Sequence, residues 1–159
     1  MKNGLKLISV TRNDIAEEAE SWMDTPYLHQ AMIKGKDGGV DCAMLIAGIA
    51  INLGIMDESI RKDIPPYPME WHFHNDVPLM TNIMELFGCK KRKIKSLTSL
   101  NIGDIVTFKL GRVPSHLGIY VGDNFFIHAY GGVKTVVKNE LSAQWADRFH
   151  SAYRYPGVK

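Results

Sequence analysis

From Asn101 onward the hydrophobic period of this chain is two. "DIVTFKL", "SHLGIYV", "NFFIHAY" and "KTVVKN" are short alternating runs separated by Gly or Gly-Asp turns, which is the pattern of antiparallel strands. "LSAQWADRF" reads as a short helix or turn and "HSAYRYP" as a last strand. The first half is different. Asn13 or Asp14 is placed to cap a helix through "IAEEAESWMD", whose early acidic residues suit the positive end of the helix dipole. "TPY" ends that helix, and "IKGKDGG" reads as a loop. A second helix runs from near Cys42 to about Leu53, with Gly54 as its stop. It is apolar nearly all round and is therefore expected to be buried. "DIPPYPMEWHFHNDVP" reads as an ordered irregular segment, and "PLMTNIMELFG" as a further helix. Helices come first and strands follow, so the class is α+β, with N-terminal helices packed on an antiparallel sheet. The 159 residues suffice for one domain, expected to span 1–159.

Composition narrows the function. A net charge of +2 is too small to imply a nucleic-acid partner. Two cysteines, Cys42 and Cys89, are too few for a disulfide scaffold, and no CxxC pair suggests structural zinc. The start, "MKNGLKLISVTRND", has no signal-peptide core, and the longest apolar run, Ala43 to Ile51, is too short to span a bilayer. The chain is expected to be made in the cytoplasm as a soluble protein without membrane insertion.

The hairpin "SHLGIYVGDNFFIHAY" carries the chemistry. Alternation puts Leu117, Ile119 and Val121 on a core face with Phe125 and Ile127. His116, Gly118, Tyr120, Phe126 and His128 then share the other face. A turn centred on Gly122 sets His116 directly opposite His128, with Cβ atoms roughly 4.5–5.5 Å apart. A two-residue slip makes them diagonal neighbours on the same face. Cys42, in "GGVDCAMLIAG", opens a helix, where the dipole and unpaired N–H groups favour a thiolate. A cysteine, a base and a group that orients the base form a nucleophilic constellation. In that reading Cys42 attacks, His116 carries the proton and His128 orients His116. The plainer readings are Cys42 as core packing, His128 as a hydrogen-bonded strand-end histidine, and the two histidines as half of a zinc site.

These stretches resemble the NlpC/P60 cysteine peptidases, papain-like enzymes that cut peptide stems of bacterial cell walls. That family carries a D-C-S-G-like helix start, then a His-Val-Gly-Ile-Tyr-like strand, with Ile-His-Ala twelve residues after its histidine. Here the interval from His116 to His128 is also twelve. "TPY" resembles a family segment whose tyrosine helps form the oxyanion site, which maps to Tyr27. "LNIGDIVTFKL" and "FHSAYRYPG" resemble the family's Gly-Asp strand and closing strand. "IPPYPMEWHFHND" resembles a Tyr-Pro-x-x-Trp segment of the bacteriophage tail-associated branch. The resemblance spans residues 11 to 156.

It implies a papain-like fold and a peptidoglycan stem peptide as substrate, with no cofactor or metal. It also implies an association with phage tail proteins and action at the bacterial cell wall. The family's serine after the cysteine is Ala43 here. In relatives that serine and the preceding aspartate hold the stem's free amino end. Asp41 can still pair with an ammonium group, but Ala43, expected at the cleft entrance, offers no hydroxyl. Two other functions keep the same fold: an amidase or acyltransferase on a non-wall substrate, and a tail-assembly protein with little activity. "CKKRKIK", Cys89 to Lys95, reads as a solvated loop or helix end, or as a contact for anionic wall polymers or another virion protein. "WHFH", Trp71 to His74, reads as packing beside the cleft, or as half of a metal site.

Overall fold

The computed structural model describes residues 9–69 and 76–158. Trp71 to His74 lie outside them. Helix α1 (Arg12–Ser21) starts earlier than either expected cap allows. Thr11 is the cap: its side chain accepts from the Asp14 N–H, while the Asp14 carboxylate accepts from the Thr11 N–H. This reciprocal box satisfies two donors that the helix start leaves open.

Helix α2 (Cys42–Asn52) starts and ends close to where its sequence suggests, with Asp41 as its N-cap and Leu53 as its C-cap. Eight of its residues are buried, so its near-uniform apolar surface has a partner on every side. Gly48 sets its distance from α1. A Cβ there would stand 2.6 Å from the Trp22 ring, so only glycine lets the two helices approach this closely. Helix α3 (Leu79–Leu86) buries Met80, Ile83 and Met84 along one stripe.

The main sheet has six strands in the order β3-β8-β4-β5-β6-β7, all pairs antiparallel. They are β3 (Lys90–Lys91), β4 (Ile105–Lys109), β5 (Pro114–Gly122), β6 (Phe125–Tyr130), β7 (Thr135–Glu140) and β8 (Phe149–Arg154). Helix α4 (Ala143–Arg148) joins the last two. Several short elements were not expected, among them three strands. The presumed loop after "TPY" holds a small hairpin, β1 (Met32–Ile33) with β2 (Gly39–Val40). The basic run supplies β3, an exposed edge strand paired with β8. Lysines on an edge discourage pairing with another chain.

Alternation along β5 and β6 suggested one core face. Both faces are buried. Ile105, Leu117, Ile119 and Ile127 join the helices in the main core. Val106, Phe108, Phe126 and Ala152 form a second cluster under Trp145, Leu100 and Leu141. The second face is covered because α4 and the segment before β4 fold over it. Phe125, expected in the core, is 38% exposed, since it opens β6 beside the turn at the end of the sheet. Buried Asp104 accepts from the Asn101 N–H and from Arg12 and Arg92, which fastens α1 and the residue after β3 to the start of β4. Among the described residues, no helix is long and apolar enough to cross a membrane.

Candidate active site

Asp41 fixes the start of α2. Its Oδ1 accepts from the Met44 N–H at 2.9 Å, which makes Cys42 the first helical residue. The Cys42 thiol then faces backbone N–H groups of Leu117, Ala43 and Cys42 itself, all favouring a thiolate. Burial and then the Asp41 charge outweigh them and push the thiol up to about 12. The sequence suggested a standing thiolate. The fuller environment holds a neutral thiol at rest, so a base has to take its proton when it reacts. The donor on β5 is Leu117, the residue after His116.

The hairpin adopts the slipped register. Ile119 pairs with Ile127 and Tyr120 with Phe126, with an irregularity before Gly122. The turn is Asp123-Asn124, both with positive φ (51° and 66°), rather than one centred on Gly122. Gly118 therefore lies across from His128, and His116 is diagonal to it. A Cβ on Gly118 would meet Phe126 at 2.9 Å and the His128 Cβ at 3.2 Å. Glycine here leaves room for the two imidazoles to meet, and His116 Nε2 lies 2.6 Å from His128 Nδ1. These facing nitrogens are spent on each other. Among the described residues, no group of three His, Cys, Asp or Glu side chains is placed to hold a metal.

A further residue fixes the direction of this bond. His128 Nε2 lies 2.7 Å from Asn139 Oδ1 on β7. An amide oxygen accepts only, so Nε2 carries the His128 proton. Burial holds His128 down at about 4, although Asn139 opposes the shift, so the ring is neutral near pH 7. Its Nδ1 is then an acceptor, and His116 Nε2–H donates to it. His116 Nδ1 is left with the lone pair. Asn139 was not singled out in the sequence. Its signal was the alternation of "KTVVKN", which puts it opposite Phe126 on the histidine face.

Aromatic rings enclose the pair. Trp145 lies 5.6 Å from His116 and 4.8 Å from His128, centroid to centroid. Tyr130 stacks on His128 at 5.3 Å and 16°. Such packing limits ring rotation and excludes water. Tyr27 approaches from the helical side. Its N–H donates to the Lys134 carbonyl, and its segment bridges β2 and β7. Burial, then the Cys42 and Asp41 charges, push its phenol above the usual tyrosine range, so it stays a donor beside the thiol.

The remaining expectations fare differently. Asp41 is 1% exposed, and its Oδ2 accepts from the Gln30 N–H at 2.7 Å and the Tyr67 hydroxyl at 2.5 Å. Ala43, expected at the cleft entrance, is fully buried in the main core. Tyr67 is the tyrosine of the Tyr-Pro-x-x-Trp stretch, but its irregular segment has no period to show that it reaches Asp41.

Residues 24–154 match the NlpC/P60 family. A 62-residue stretch is 34% identical to the Murein DD-endopeptidase MepS/Murein LD-carboxypeptidase of Escherichia coli K12, covering 39% of this chain and 33% of that protein. A 65-residue stretch is 40% identical to the probable peptidoglycan endopeptidase LytE of Bacillus subtilis, covering 39% and 19%. The aligned stretches thus span a third or less of these relatives. The fold superposes on the NlpC/p60 domain of the peptidoglycan hydrolase SagA with a TM-score of 0.59 at 21% identity, covering 90% of this chain and 97% of that one. NlpC1 from Trichomonas vaginalis gives 0.60 at 18% identity, covering 91% and 44%.

Proposed function

Since the chain belongs to the NlpC/P60 family, we propose that it is a cysteine hydrolase cutting amide bonds in peptidoglycan stem peptides, as a single catalytic domain. One observation carries the reading: the directed chain from Asn139 through His128 to His116, which leaves an imidazole lone pair on β5, the strand whose Leu117 N–H meets the Cys42 thiol.

The steps follow from that polarity. His116 Nδ1 takes the thiol proton as Cys42 Sγ bonds to the scissile carbonyl carbon. The resulting imidazolium keeps its Nε2–H on His128. The oxyanion is met by the Cys42 backbone N–H and the Tyr27 hydroxyl. His116 then gives its proton to the leaving amine as the C–N bond breaks, leaving a thioester on Cys42. Water attacks the thioester, His116 accepts its proton, and the thiol is restored with release of the new carboxylate. Ionising a buried thiol and forming a buried imidazolium is costly in the resting enzyme. The developing oxyanion offsets that cost, so charge appears where donors already wait.

The test is incubation with purified peptidoglycan and with isolated stem peptides, read by mass spectrometry. The expected products carry one new amine and one new carboxylate within the stem, and EDTA leaves the rate unchanged. No cleavage of either substrate, or transfer of the acyl group to an added amine in place of water, would overturn the proposal. The Tyr-Pro-x-x-Trp resemblance supports a tail-associated setting. Finding the chain in purified virions by peptide mass mapping would support it, and absence from them would remove it.

A further inference from the structure

Asp41 is a buried carboxyl side chain next to Cys42, and a substrate ammonium that reached this corner would be drawn to it. Its acceptor sites are nearly filled. A carboxylate has about four lone-pair sites. Oδ1 takes the Met44 N–H, and Oδ2 takes both the Gln30 N–H and the Tyr67 hydroxyl. His29 stands over the remainder, with Nδ1 3.7 Å from Oδ2.

Tyr67 is held there from two sides. Its carbonyl lies 2.6 Å from His29 Nε2, and the two rings meet edge to face at 5.1 Å. Only 8% of Tyr67 is exposed, and its phenol lies near both Cys42 and Tyr27. Of the donors on Asp41, the two N–H groups belong to the backbone and hold the start of α2 and the preceding turn. The phenol is the one side-chain hydroxyl among them, contributed by a segment 26 residues away in sequence.

We propose that Tyr67 is a specificity-determining residue: its hydroxyl occupies Asp41 Oδ2 in place of a substrate ammonium, so the site takes stems whose amino end is acylated. The inference rests on the peptide-hydrolase reading. A free amine entering this corner has to displace a buried phenol and lose its own hydration. An N-acylated stem brings no charge to place there and leaves the Tyr67 bond intact. The buried position of Ala43 agrees, since position 43 presents no side chain to a substrate in either case. The substrate class is then stems still joined to glycan or otherwise capped, rather than released peptides.

Binding separates this inference from turnover. The probes are a stem tripeptide with a free amine and its N-acetylated twin, titrated calorimetrically against Cys42→Ala protein. The acetylated peptide should bind at least as tightly as the free one. Adding Tyr67→Phe should tighten the free peptide roughly tenfold, as one acceptor site on a charged group is released, and leave the acetylated one within about twofold. His29→Ala removes the ring that holds the Tyr67 carbonyl and should move the ratio the same way, with melting curves confirming that either variant is folded. The proposal is overturned if the free amine binds tenfold tighter to Cys42→Ala protein, if neither peptide binds, or if both variants leave the ratio unmoved. Binding by Cys42→Ala protein with no cleavage by the unmodified enzyme would instead overturn the hydrolase reading.

Discussion

Cys42 and Cys89 are both held as neutral thiols by burial, and they sit in different company. Each thiol is pushed up to about 12, in both cases chiefly by burial. Cys89 lies between α3 and β3 and is the more exposed of the two. Its N–H donates to the Met84 carbonyl, and its side chain packs on the main core beside Tyr155. Burial alone acts on it. Cys42 has backbone N–H groups directed at its sulfur, a buried carboxylate behind it, and, on the strand that it touches, His116, polarised by His128 of the next strand. A resting thiol value therefore does not identify a nucleophile in this fold. What separates the two is whether a base waits nearby and donors wait for the charge that develops.

Substitutions sharpen the contrast, starting with the largest effect. Cys42→Ala should lower turnover by at least about 10⁴-fold, the scale seen when a covalent nucleophile is removed. It should keep the fold, because alanine suits the first turn of α2. His116→Ala should cost about 10²- to 10⁴-fold, the span of general acid–base catalysis, with a smaller change in KM than in kcat. A loss confined to KM would mean that His116 binds substrate and carries no proton.

His128→Gln keeps a polar partner for His116 and should cost about tenfold to a hundredfold in kcat/KM. It also has a signature in stability. The unfolded chain takes up the His128 proton near 6.5, and the folded protein only near 4. The contribution of His128 to stability is therefore fully present above pH 6.5 and is lost as the pH drops toward 4, by up to about 3 kcal/mol. Melting temperatures at pH 7 and 4.5 should show this loss, and His128→Gln should lose less across the same interval. Equal losses in both proteins would mean that His128 is not held neutral. Cys89→Ala should change kcat/KM by no more than about twofold, because no catalytic group touches it. A larger fall would bring Cys89 into the chemistry.

Periodicity made much of the fold legible. The strands from Ile105 to Arg154 and the buried α2 follow from period two and from an all-round apolar helix. Local chemistry alone did not reveal the short β1–β2 hairpin or the edge strand β3. Two-residue strands carry too little pattern, and Lys90-Lys91 reads as solvated charge until β8 is known to lie beside it. The site divides the same way. Cys42, His116, His128 and Tyr27 stand in recognisable spacing. Tyr67 and Trp145 reach the site only through tertiary folding, as does the second aromatic layer over the sheet. The histidine register depended on the Asp123-Asn124 turn, which the glycine at 122 obscured.

The most direct measurement is the labelling rate of each cysteine by iodoacetamide, read by peptide mass mapping in the unmodified protein and in His116→Ala. Cys42 should react at least about tenfold faster than Cys89 in the unmodified protein, with activity lost in step with Cys42 modification. In His116→Ala the advantage should disappear, because both thiols then lack a base. Faster labelling of Cys89, or a Cys42 advantage that survives the loss of His116, would contradict Cys42 as a nucleophile activated by His116.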